Sequence, residues 1–112
     1  MSENLVKEAV KETQNRVSQL FPNEKVEAIL FGSYARGEAT ADSDVDIIFL
    51  VDSSREEISS RNWQLGKIAS DIFFDYDLVI SPIVENRKFY QDRIDILPFY
   101  RNIHREGVKI SA

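Results

Sequence analysis

The sequence predicts an α/β domain, a small mixed β-sheet flanked by helices. Three observations predict it. Apolar residues at helical spacing open the chain over 2–21 and recur over 54–72. Short runs rich in β-branched and aromatic residues lie at 25–31, 45–52 and 73–81. The order is therefore helix, strand, short helix, strand, helix, strand, helices, which suits a mixed sheet. The length of 112 residues allows one domain with a modest core, so residues 1–112 are read as a single unit.

Each element has a local reason. In the first helix Leu5, Val6, Ala9, Val10, Val17 and Leu20 form the apolar stripe, with Lys7, Glu8, Lys11 and Glu12 on the other side. Ser2 is its candidate N-cap, and Pro22-Asn23 ends it. Lys25–Phe31 is the first strand, running into Gly32-Ser33, where a short helix to about Glu38 is expected. That order puts Ser33 at a helix N-terminus, where unpaired amides face outward. Thr40–Ser43 is a loop and Val45–Asp52 the second strand. Ser54-Arg55-Glu56-Glu57 fits a capping box. The helix behind it is expected to reach Ile72, burying Ile58, Leu65, Ile68, Ala69 and Ile72 with Trp63 beside them. Phe73–Ser81 reads as the third strand, ended by Pro82, and 84–93 as a short polar helix. Pro98 suits the first turn of a last helix, Gly107 its stop, and Val108-Lys109-Ile110 a returning edge strand.

Composition narrows the classes. There is no cysteine, so disulfides and thiolate metal sites are excluded, and a reducing cytoplasm is compatible. The polar start Met1-Ser2-Glu3-Asn4 does not read as a signal peptide, and no apolar stretch approaches membrane-spanning length. The net charge of −5 argues against tracking a nucleic-acid backbone, so direct nucleic-acid binding is not expected.

The richest segment is Gly32-Ser33-Tyr34-Ala35-Arg36-Gly37-Glu38-Ala39-Thr40-Ala41-Asp42-Ser43-Asp44-Val45-Asp46, a Gly-Ser pair, ten residues, then Asp-x-Asp, with an apolar run on either side. Aspartates two apart on a strand share a face. Like charges that close repel unless a cation lies between them. All-oxygen ligation favours Mg²⁺ or Mn²⁺. The Gly-Ser turn offers amides and a hydroxyl to phosphate oxygens. Together these features imply nucleotide chemistry.

On these residues the chain resembles the DNA polymerase β-like nucleotidyltransferase superfamily, and within it the minimal nucleotidyltransferases. The resemblance implies the polymerase β-like palm fold. It implies that Asp44 and Asp46 hold Mg²⁺ on the β- and γ-phosphates and help hold a second ion near the α-phosphate. It also implies a third carboxylate on a neighbouring strand. Asp75 and Asp77 share one face of the expected third strand, and Asp77 is preferred. It lies deeper in the apolar run, where an acid costs more to bury, and it fits the family's Asp-Leu-Val wording. Its implied role is general base or second-metal ligand.

Gly32 and Ser33 are expected to bind the triphosphate, Gly32 by letting the backbone approach closely. Ser43 either bonds a phosphate or closes its loop. Arg36 either steers phosphate or pairs with Asp42 or Glu38, the second being favoured. Tyr34 either covers the base or joins the core, and His104 reads as a surface or packing residue.

The implied reaction moves AMP from ATP, or the equivalent group of another nucleoside triphosphate, to a hydroxyl, with pyrophosphate leaving. The chain after the core leaves no room for an acceptor-holding domain, so a partner or second copy is expected to complete the site. The resemblance implies a HEPN-domain toxin as partner, modified on a tyrosine by this chain as antitoxin. The alternatives are a small-molecule nucleotidyltransferase acting as a homodimer and a non-catalytic partner-binding antitoxin module. The aromatic segment Phe89-Tyr90…Phe99-Tyr100 either forms such an interface or closes the domain's own core.

Overall fold

The computed structural model describes residues 3–110. Helix α1 (Glu3–Leu20) leads into β1 (Glu27–Phe31) and β2 (Val45–Val51). Helices α2 (Arg55–Ser59) and α3 (Asn62–Tyr76) then cross to β3 (Ile80–Asn86). Helices α4 (Arg87–Arg93) and α5 (Pro98–Glu106) and strand β4 (Val108–Ile110) complete the chain. Ser2, the expected cap of α1, lies outside the described residues.

The four strands form one mixed sheet in the order β3-β2-β1-β4. β1 is antiparallel to both β2 and β4, while β2 and β3 are parallel. A parallel pair needs a crossover, and α2 and α3 supply it. Both faces are covered. Ala9 and Val17 of α1, Phe21 just after it, Ile58 of α2 and Ile68 and Ile72 of α3 pack on Val45, Ile47, Phe49 and Val51. Tyr90 of α4 and Tyr100 and Ile103 of α5 pack on Ile29, Phe31, Ile48 and Leu50. That sandwiching explains why β2 is apolar almost throughout, as strands buried on both sides are. Asp46 is its one acid. No helix among the described residues is long and apolar enough to cross a membrane.

Several sequence expectations need correction. The stretch from Gly32 to Gly37 is a series of turns and not a helix, because both glycines take positive φ, 75° and 72°. The helix expected over 54–72 breaks after Ser59. The Ser60 hydroxyl donates to the Glu57 carbonyl at 2.5 Å, offering the backbone an alternative to helix, and α3 restarts at Asn62. Ser54 does cap α2, accepting from the Glu57 amide at 3.1 Å.

The third strand begins later than 73. Phe73–Tyr76 continues α3, because Tyr76 follows Ile72 and Ile68 at helical spacing against the same core. Asp77 ends the helix in the left-handed conformation at φ 53°, its amide donating to the Phe73 carbonyl at 2.9 Å. Short polar side chains tolerate that conformation. β3 then runs through Pro82 instead of stopping there, which an edge strand permits. Trp63, expected beside the core stripe, stands 75% exposed.

Pro98 opens α5 and Gly107 follows it, as expected, but Gly107 is there for space and not for a left-handed turn. Its φ is −68°. A Cβ built on it would run into the Ile103 carbonyl oxygen and the Ile29 side chain. Gly107→Ala therefore pushes α5 off β1. The expected cost is about 1–3 kcal/mol, read as a lower urea midpoint at unchanged slope.

Candidate active site

The alternation of β2 sorts its side chains. Val45, Ile47, Phe49 and Val51 face α1 and α3, so Asp46, Ile48 and Leu50 face the side of α4 and α5. Asp44 precedes the strand by one residue and shares the parity of Asp46. The strand order puts this pair between two neighbours. Phe31 of β1 lies opposite Asp46 on one side and Ser81 of β3 on the other. Since β1 runs antiparallel, its C-terminal end delivers Gly32 to the same end of the sheet as Asp44 and Asp46.

Gly32 fits closely against the second aspartate. A Cβ at position 32 would collide with Asp46 Oδ2, and the φ of 75° also disfavours any side chain. The glycine is required twice over, once by the turn and once by the carboxylate. Asp44 is exposed and Asp46 half-buried. Burial first, and then the Asp44 charge, push the Asp46 carboxyl above the usual carboxylate range, while Arg36 pulls it the other way.

The turn after Gly32 is tied down by its backbone, Arg36 N–H to the Gly32 carbonyl at 3.1 Å and Glu38 N–H to the Ser33 carbonyl at 2.9 Å. Ser33 thus sits in a glycine-bounded turn and not at a helix N-terminus. Arg36 pairs with Glu38 at 2.7 Å, one of its two expected partners, and with Glu106 of α5 at 3.2 Å, which was not foreseen. Asp42 is not its partner. The Ser43 hydroxyl accepts from the Thr40 amide at 2.8 Å, so of its two readings the structure shows loop closure. Tyr34 packs against the core shared by α1 and α3, and His104 is exposed on α5.

The third acid is where the structure departs most from expectation. Asp75 lies within α3 and Asp77 at its end, so the strand face they were expected to share does not exist. No group of three or more His, Asp or Glu side chains among the described residues is gathered as a metal site. Asp77 is therefore not clustered with Asp44 and Asp46. The β3 residue beside the pair is Ser81, whose hydroxyl donates to Asp44 Oδ2 at a long 3.5 Å. Sequence reasoning passed over Ser81 because it treated Pro82 as the strand's end. The alternation Ile80, Pro82, Val84 against Ser81, Ile83, Glu85 was the signal that could have found it.

The donor set is two carboxylates and nearby hydroxyls, all hard oxygen ligands. It fits Mg²⁺ or Mn²⁺ and no soft metal. The nearby Asp44 charge that raises the Asp46 carboxyl is one a cation would offset.

Known proteins resemble this chain in sequence. One relative in Methanocaldococcus jannaschii, named as a proposed protein adenylyltransferase, is 34% identical over 93 residues, 83% of this chain and 92% of its own. A second from that organism, named likewise, is 31% identical over 99 residues, 88% of this chain and 91% of its own. A third is 32% identical over 84 residues, covering 75% of this chain and 57% of that longer protein. No solved structure gives a significant match. The profile of the nucleotidyltransferase domain matches residues 10–111, which takes in the sheet, the turn at Gly32 and the Asp44–Asp46 pair. The chain belongs to the nucleotidyltransferase domain family.

Proposed function

We propose that this chain is a Mg²⁺-dependent adenylyltransferase that moves AMP from ATP to a hydroxyl on a partner protein. The observation that carries the reading is the Asp44–Asp46 pair at the start of β2, with the Gly32 backbone packed against Asp46. The names of the relatives support ATP as donor and a protein as acceptor. Asp44 and Asp46 would hold the metal, which supplies charge neutralisation for the triphosphate and for the oxygens of the displacement. The turn from Gly32 to Gly37 offers the phosphates a close backbone approach, and Ser33 a hydroxyl. The acceptor oxygen bonds to the α-phosphorus, the bond from that phosphorus to its bridging oxygen breaks, and pyrophosphate leaves. The acceptor's proton is released to solvent on the exposed Asp44 side. Positioning and charge stabilisation are the protein's part. A HEPN-domain protein is the first acceptor to test, and a second copy of this chain the next.

Mass spectrometry of a co-expressed HEPN partner is expected to show added AMP on a tyrosine. Asp44→Asn or Asp46→Asn is expected to lower the transfer rate by roughly a hundredfold or more, the scale of losing one electrostatic stabiliser. Unmodified partner from the wild-type chain defeats this acceptor.

Asp46 also links the site to stability. Its folded-state pKa lies above the ordinary value, so the native state holds that proton more tightly than the unfolded chain. The group thus favours folding at low pH and opposes it as pH rises past the raised value. Asp46→Asn is expected to raise the melting temperature of the metal-free protein at pH 7, and the gain is expected to vanish in acid. A drop in melting temperature at pH 7 would contradict the charge argument.

Gly32→Ala is expected to displace the Asp46 carboxylate and to strain the turn by about 1–2 kcal/mol. Mn²⁺ affinity of the folded variant, followed by electron paramagnetic resonance, is expected to fall by roughly 10–100-fold, the range for disturbing a ligand's support.

A further inference from the structure

We infer that Ser81 is a positioning residue of this site. Its hydroxyl, presented by β3, orients the Asp44 carboxylate and stands as the third oxygen donor beside Asp44 and Asp46. The inference rests on the reading of that pair as a metal site.

Register and face place Ser81 there. It is the residue of β3 paired with Asp46, and its hydroxyl donates to Asp44 Oδ2 at 3.5 Å. On β3 it alternates with Ile80 and Val84, which pack toward α1 and α3, so it shares the face of Asp46. Its neighbours cannot take its place. Val79 offers a carbonyl that already accepts from the Val45 amide at 2.9 Å, and Pro82 has no N–H.

Asp44 needs such a support. It lies outside the strand and is exposed, so its rotamer is not fixed by packing. Asp46, in contrast, is held by the strand and by Gly32. A hydroxyl suits this position better than a charged group in one respect. It adds a donor and an orienting bond without adding a third negative charge beside Asp44 and Asp46. The site built this way binds its cation through two charges and relies on the ATP phosphates for the remaining ligands.

The test is metal binding by the whole protein without ATP. Mn²⁺ is titrated by electron paramagnetic resonance into the wild type and into Ser81→Ala, Ser81→Thr and Asp44→Asn. Ser81→Ala is expected to bind about tenfold more weakly, the lower end of the effect of losing a ligand's supporting bond. Ser81→Thr keeps the hydroxyl and is expected to restore the wild-type value. Ser81→Cys, nearly isosteric, is then titrated with Cd²⁺ by calorimetry, and binding at least tenfold tighter than the wild type's is expected from a sulfur ligand. Circular dichroism melts confirm that each variant folds. If Asp44→Asn loses Mn²⁺ while Ser81→Ala and Ser81→Cys match the wild type, the role of Ser81 is overturned and the metal site stands. If Asp44→Asn keeps wild-type affinity, the metal-site reading itself falls, and the inference with it.

Discussion

A carboxylate at the start of a central, sandwiched strand is the constraint around which this molecule is arranged. Asp46 interrupts a strand whose other residues serve two cores. The turn beside it must start with a residue lacking a side chain, since Gly32 lies where a Cβ would meet the carboxylate. Asp44 must stand at the exposed end of the same face, or the two charges would be buried together at prohibitive cost. The charge that costs the fold stability is the one the proposed metal site would use, a compromise frequent at functional positions.

The far end of the sheet is built the opposite way, with its buried charge answered. Glu85 is buried at the last turns of β3, yet one oxygen accepts from Tyr100 OH at 2.6 Å and the other from Arg55 at 3.2 Å and the Asn86 amide at 2.8 Å. Burial and the Glu85 bond push the Tyr100 hydroxyl up to about 12. Arg55 and Arg93 lie against the Phe89 ring at 3.8 and 3.7 Å. Arg87 reaches Glu27, Asp52 and two backbone carbonyls. Phe89, Tyr90 and Tyr100 are thus core and anchoring residues, which decides between the two readings of the aromatic segment for these three. Phe99 alone of the four is about half exposed, its ring edge-on to Phe31.

The candidate site was legible where chemistry and spacing coincide. Gly32, Asp44 and Asp46 could be found because a glycine turn and a same-face acid pair have few structural substitutes. Helix α5 and β4 could be found because Pro98 and Gly107 punctuate them. The passage from α3 to β3 could not, because Phe73, Phe74, Val79 and Ile80 have strand composition whatever they form. Only the spacing Ile68, Ile72, Tyr76 carries the helical period through it. Losing that boundary moved Asp75 and Asp77 onto a strand that begins at Ile80, and hid Ser81. The edge position of β3 was equally hidden, since strand order is set by tertiary packing, and without it Pro82 looks like a terminator.

Pro82 on that edge has a consequence for how another molecule can approach. β3 is the border of the sheet nearest the acid pair, and the proline deprives it of a donor along its open side. An extended peptide cannot lengthen the sheet there by continuous main-chain pairing, which also guards the border against self-association. Under the proposed transfer, an acceptor protein would bring its hydroxyl down onto the face above Asp44 by side-chain contacts. Selection among visitors then depends on their surface relief and not on their capacity to become a fifth strand.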